Sequence, residues 1–327
     1  MLAPPELGWD LGLYAREWLA ERMRVTADLA AAAAREPTTA HVHRLRVSCR
    51  RLREAIAFFT GAPEMPPLGS VERAVRRTMR AVQKLRELDV ARNRLAALGD
   101  GPLDADTERA RADLLQRLAR RRGRLERRKR FRIQRRARKL LRVLGAGALR
   151  HPTHATGAPS PTGSDPGIAT VEIRTRAFLE TRMAQRRAAI EELCARLGSA
   201  GGGARRHEGE DRREPHDALH RARVAIKHWR YASEIGRPAV ARDRYRVLAA
   251  TLRALHDLGG ESQDMADLAR LVEAETYAAP PKRRARLDLL LQIVVAAREA
   301  AASDFRDALQ VALTTTPLAS RLSVARV

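Results

Sequence analysis

The sequence predicts an all-α protein made of two related halves with four helices each. Apolar residues recur at helical spacing through eight segments separated by proline- and glycine-rich breaks. A histidine–arginine pattern occurs twice, 177 positions apart. The hydrophobic content is 44%, mostly Ala, Leu and Val, while aromatics make up only 4%, a composition suited to bundle cores.

The first four helices are expected near 8–35, 38–60, 69–98 and 104–145, bounded by Glu36-Pro37, by Pro63 to Gly69 and by Gly99 to Pro102. The stretch HPTHATGAPSPTGSDPG, His151 to Gly167, is rich in Pro, Gly, Ser and Thr and reads as a linker. Four more helices are expected near 168–198, 215–235, 238–275 and 282–312, with a glycine-rich loop from Gly198 to Glu214 before the second of them. The expected division is therefore a first half at 1–150, a linker at 151–167 and a second half at 168–327.

His43, Arg46, Val47, Arg50 and Arg53 return as His220, Arg223, Val224, Lys227 and Arg230. At about 100° per residue, His43, Arg46, Arg50 and Arg53 share an arc of roughly 80°. Leu45, Cys49, Leu52, Ile56 and Phe59 form the opposite, apolar stripe; in the second copy it is Ala222, Ile226, Trp229 and Ser233, with Leu219 at its edge. A charged face usually needs no explanation beyond solvation. Solvation constrains charge only loosely, however, so the same order recurring at a fixed offset points to a shared geometric task. The offset continues beyond this helix, with Arg86-Glu87 mapping onto Gln263-Asp264, Leu85 onto Ser262 and Leu88 onto Met265. Arg80 maps onto Asp257 and Lys84 onto Glu261, so the first half is expected to bind anions more strongly.

With 63 Lys plus Arg against 39 Asp plus Glu, the formal charge is +24, and the pI is near 11.4. A polyanion is the natural partner. Only five of the cations are lysines, and arginine binds phosphate oxygens bidentately. The charge is densest from Arg117 to Arg142, where 15 of 26 residues are Arg or Lys and only Glu126 is acidic. Apolar residues there, including Leu118, Leu125, Phe131, Ile133 and Leu140, give a long, irregularly amphipathic helix. Like charges at i,i+4 on it cost tenths of a kcal/mol per pair, roughly, and a bound polyanion would relieve them.

Nucleic acid, a membrane surface and a phosphate polymer are the candidate partner classes. Single-stranded nucleic acid calls for stacking aromatics, and Trp9, Trp18, Phe58, Phe59 and Trp229 fall where helices pack. No zinc-finger spacing, basic-zipper heptad or helix-turn-helix signature supports duplex reading. A membrane face would need a lipid-facing apolar stripe, which the bundle core already claims, and no run of about 18 apolar residues exists to span a bilayer. A phosphate polymer needs only Arg, Lys and His.

HVHRLRVSCRRLREAIAFF and its second copy ALHRARVAIKHWRYASEI resemble the paired histidine-bearing helices of the CHAD domain, the conserved histidine α-helical domain. LRELDVARNRL and LHDLGGESQDMADLARL, which follow them, are similar to that family's patterns too, and the resemblance runs from about residue 8 to 313. It implies two four-helix bundles related by a pseudo-twofold, with a basic central groove or pore that binds inorganic polyphosphate. The residues implied are His43, Arg46, Arg50, Arg51 and Arg53 from one half, and His220, Arg223, Lys227, Arg230 and Tyr231 from the other. Arg76, Arg80 and Lys84 on the third helix and Arg124, Arg128 and Arg135 on the fourth extend this candidate set. His228 stands where the first copy has Arg51 and the family commonly has Arg, a departure in the second half.

The expected mechanism is electrostatic capture without turnover. Binding would weaken steeply with salt and strengthen on mild acidification as the two imidazoles gain charge. The alternatives are a non-specific nucleic-acid binder, or a phosphohydrolase or phosphotransferase acting on polyphosphate. His216 and His220 have chelating i,i+4 spacing but lack the glutamate of an HExxH site and a third ligand. The pairs Glu87-Asp89 and Asp264-Asp267 read as helix caps or ion-pair partners. No phosphate-binding glycine loop, nucleophile elbow or Glu-x-Glu-x-Lys signature is present. The reading is a stand-alone binding module, not an enzyme, with no cofactor or metal and an oligomeric state that is not legible. The short acidic stretch before Trp9 does not read as a signal segment, and Cys49 and Cys194 read as unpaired thiols of a reducing cytoplasm. Association with polyphosphate granules would follow from the ligand.

Overall fold

A computed structural model describes residues 10–63, 65–98, 103–145, 166–199, 213–315. Eight α-helices account for nearly all of them: α1 Leu11–Arg35, α2 Thr39–Phe58, α3 Gly69–Ala97, α4 Ala105–Gly145, α5 Pro166–Ser199, α6 Arg213–Ile235, α7 Arg242–Tyr277 and α8 Pro281–Thr315. Among the described residues there is no strand. Local chemistry sets several starts. Asp10 caps α1 by accepting from Leu13 N at 2.9 Å, and Thr38 caps α2 through His41 N at 3.2 Å. Asp104 accepts from the backbone of Asp106 and Thr107, each at 3.0 Å, at the start of α4.

The seventh helix begins at Arg242, later than the expected 238, because a 3₁₀ turn over Arg237–Ala239 with an early proline ends in extended Val240. The expected linker lies outside the described residues up to position 165, and Pro166 and Gly167 already belong to α5.

The chain divides into two compact units drawn from both sequence halves. The first comprises Met1–Arg86, Arg128–Ala184 and Tyr231–Ala241, and the second Glu87–Arg127, Gln185–Arg230 and Arg242–Val327. In the first unit, Leu19 of α1, Leu45, Leu52 and Phe58 of α2, Val75 of α3 and Leu140 of α4 form the core, joined by Leu179 of α5 and by Ala232 and Ile235 of α6. Tyr14 donates its hydroxyl to the Ile235 carbonyl there, and burial holds its pKa well above the usual phenol range.

The second unit has two cores. In one, Leu88, Ala91 and Leu95 of α3 meet their repeat counterparts Met265, Leu268 and Val272 of α7, together with Leu114 and Leu118 of α4 and Leu290 and Val294 of α8. The other gathers Ile190 of α5, Ala222, Ile226 and Trp229 of α6, Leu252 of α7 and Phe305 of α8. Gly259 is required here: a Cβ on it would lie 2.8 Å from the Phe305 ring. Its counterpart in the first repeat is Val82, so ring and missing side chain go together.

Candidate functional site

Both pattern-bearing helices fold as the periodicity requires. Val42, Leu45, Cys49, Leu52 and Phe58 are buried on α2, and their counterparts Leu219, Ala222, Ile226, Trp229 and Ile235 are buried on α6. The polar positions match as well. His43 and His220 are exposed, while Arg46 and Arg223, Arg50 and Lys227, Arg51 and His228, and Arg53 and Arg230 are half-buried. Half-burial is the signature of long cationic side chains whose stems lie on apolar surface.

In the first unit, α2 presents His43, Arg46 and Arg50 on one face, and Arg76, Arg80 and Lys84 are exposed on α3. Arg51 is committed differently: it pairs with Glu234 at 3.6 Å, and its guanidinium lies 5.9 Å over the ring of Tyr231. Tyr231 itself is buried, 4% exposed, so it supports Arg51 and is not part of an open face. Arg22, stacked 4.6 Å over Trp18, belongs to the same cluster. Burial and the Arg51 charge lower its pKa, and Glu234 opposes that. Arg53 lies 3.3 Å from the buried Glu54 carboxylate.

In the second unit, His220 Nδ1 is hydrogen-bonded to Gln263 Oε1. Gln263 in turn donates from Nε2 to Asp267 Oδ1 at 3.0 Å, and Asp267 pairs with Arg270. The amide orientation makes Oε1 the acceptor, so the His220 proton sits on Nδ1 and the tautomer is set. A cleft of about 450 Å³ opens beside His220 between α5 and α6, lined by Arg186, Ala189, Leu193, Val224, Ala225 and His228. Gln263 was visible in the sequence as the residue opposite Arg86, but its grip on His220 requires the α6–α7 packing.

Arg128 and Arg135 lie in the first unit and Arg124 in the second, all three exposed on α4. Phe131 corrects the sequence reading. It is not an apolar packing position of α4 but 81% exposed, because Ile133, Ala137 and Leu140 already supply the buried side. The carboxylates serve the arginines: Asp89 pairs with Arg122 at 3.0 Å and Asp264 with Arg94 at 3.5 Å. The side chain of His216 lies outside the described residues. Among the described residues no group of three or more His, Cys, Asp or Glu could hold a metal, and no helix is long and apolar enough to cross a membrane. Both cysteines are free.

Eight helices among the described residues, two of them copies of one histidine- and arginine-bearing helix, define the class of protein: all-helical, internally repeated and strongly basic. The chain belongs to the CHAD domain family, whose model matches residues 17–273. Its fold is similar to the crystal structure of the CHAD domain from the plant Ricinus communis, with a TM-score of 0.61 and 18% identity over 95% of each chain. It is also similar to PptA from Streptomyces chartreusis, with a TM-score of 0.56 and 17% identity over 90% of this chain and 99% of that one. Comparison with the curated proteins gives no match.

Proposed function

We propose that this protein binds inorganic polyphosphate by electrostatic capture, without turning it over. The carrying observation is that α2 and α6 repeat both the residues and the burial of His-x-x-Arg-Val-x-x-(Arg/Lys)-x-x-Arg, with an exposed imidazole and half-buried cations in each copy. Membership of the CHAD family supports the choice of polyphosphate among polyanions. His43, Arg46 and Arg50, with Arg76, Arg80 and Lys84, take phosphoryl oxygens from the first repeat; His220, Arg223, Lys227 and Arg230 do so from the second. Arg51 acts from its Glu234–Tyr231 seat, and Arg53 beside Glu54 adds to the field. Arg124, Arg128 and Arg135 enlarge the positive field that recruits the chain. Condensed counterions leave as phosphates are neutralised, so affinity falls steeply with salt.

The test is competition of long-chain polyphosphate against single- and double-stranded DNA at physiological salt, with wild type and a His43→Ala, Arg46→Ala, Arg50→Ala variant. The expected result is polyphosphate binding that neither DNA displaces and that the variant loses. Equal binding of all three polymers, untouched by the substitutions, would sink the proposal. Release of phosphate on adding a divalent metal would overturn capture without turnover.

A further inference from the structure

Along α4, the residues Arg128, Phe131, Arg135, Arg138 and Arg142 are all exposed. Taking Phe131 as the reference and about 100° per residue, the four arginines lie within roughly 60° of it, so the five make one straight stripe. At 1.5 Å per residue the stripe is about 21 Å long. The side of α4 directly opposite carries Ile133, Ala137 and Leu140, each 1% exposed or less, so the stripe is the outward face of a helix docked on the first unit's core.

Two properties set it apart from an ordinary solvated surface. None of the four arginines has an ion-pair or hydrogen-bond partner among the described residues, and each like-charged i,i+3 or i,i+4 neighbour works against the helix. In their midst stands a phenylalanine that is 81% exposed, flanked along the helix by guanidinium groups.

We propose that this face of α4 binds single-stranded nucleic acid, the guanidinium groups taking phosphates and the Phe131 ring stacking on a base. Each rival occupant leaves one of the observations unused. Polyphosphate satisfies the arginines but has no π-face for Phe131. A duplex keeps its base faces stacked inside. An anionic lipid surface asks for an apolar stripe, and a single ring among cations is a poor anchor. A second copy of this chain would set like charges against each other. The inference goes beyond the polyphosphate reading and does not rest on it.

The experiment uses the full chain and four probes at physiological salt: a fluorescent oligo-dT of twenty nucleotides, an abasic oligomer of equal length and charge, long-chain polyphosphate, and vesicles of phosphatidylcholine and phosphatidylglycerol. The proteins are wild type, Phe131→Ala and Phe131→Trp. The ring's exposure makes both variants safe for the fold, which circular dichroism would check. Phe131→Ala is expected to weaken oligo-dT binding about fivefold or more, to leave the abasic oligomer and polyphosphate unchanged, and Phe131→Trp to restore oligo-dT binding. Unchanged oligo-dT affinity in Phe131→Ala would overturn the proposal, and so would equal wild-type affinity for the oligo-dT and abasic oligomers. Vesicle binding that depends on Phe131, with oligo-dT indifferent to it, would overturn it in favour of a lipid surface. Failure of the polyphosphate proposal shows separately, through the α2 triple variant.

Discussion

The two copies of the basic helix agree in what they bury and differ in what surrounds them. Around α2, the third helix offers Arg80, Lys84 and Arg86; around α6, the equivalent positions of α7 are Asp257, Glu261 and Gln263. Glu261 is already bonded to Arg94 at 3.2 Å, and Gln263 holds His220. One duplicated scaffold therefore carries a strongly cationic face around α2 and a tempered one around α6. The copies differ a second way: α2 lies wholly in the first unit, whereas α6 leaves its last residues, from Tyr231, in that same unit.

That second difference has the largest expected consequence. Ile235 and its repeat counterpart Phe58 are both buried in the first core, so sequence halves and folding units do not coincide. Replacing Ile235 by alanine should cost about 2–5 kcal/mol, measurable as a shift in the denaturation midpoint. Residues 1–150 alone, lacking Leu179, Ala232 and Ile235, should fail to unfold cooperatively. A 1–150 fragment with a sharp thermal transition would show that each half folds by itself, as a repeat of independent bundles requires.

Next comes the inequality of the two faces. Removing His43, Arg46 and Arg50 together should lower polyphosphate affinity about tenfold or more, and should flatten the log–log salt dependence by about 0.7–0.9 for each phosphate no longer neutralised. The matching His220, Arg223, Lys227 variant should lose less. Asp257→Arg with Glu261→Lys should raise affinity, because it restores the first repeat's charges to the second. Equal losses from the two triple variants would erase the distinction between the copies.

Most of this architecture was legible beforehand. The helix bounds follow from apolar spacing, Pro37, the Pro63–Gly69 stretch and cap residues such as Asp10 and Thr38, because an α-helix is a local structure with local signals. The doubled face was legible because two positions 177 apart can be compared without any structure. Three features were not. The seat of Arg51 on Glu234 and Tyr231 joins residues about 180 apart in sequence, and the His220–Gln263 bond depends on how α6 meets α7. Assigning α6 to two units is likewise a result of packing, which periodicity does not encode. The outward place of Phe131 is not among them, since at about 100° per residue it stands opposite Ile133, Ala137 and Leu140 and could have been read from the spacing.

A smaller effect tests the orientation of His220. Gln263→Leu removes the amide oxygen that accepts from Nδ1, so the ring is no longer held in one orientation. Polyphosphate affinity should fall about two- to tenfold, the size of one neutral hydrogen bond. An unchanged affinity in Gln263→Leu would mean that the orientation of His220 does not matter to binding.

The smallest expected effect concerns the thiols, whose positions differ between the copies. Cys49 stands where α6 has Ile226 and is fully buried; burial pushes its pKa up to about 12, against a slight pull from Arg46. Cys194, half-buried on α5, is pushed up to about 11, by burial first and by Glu191 second. Only the thiolate attacks a disulfide reagent, so at mildly alkaline pH both should react slowly, and Cys49, the more deeply buried, more slowly than Cys194. Access widens the gap, because Cys49 reacts only when α2 lifts from its core. Ile235→Ala, which loosens that core, should therefore speed Cys49 and leave Cys194 alone. If Ile235→Ala accelerated the two thiols equally, the units would open together, and the division of α6 would have no energetic meaning.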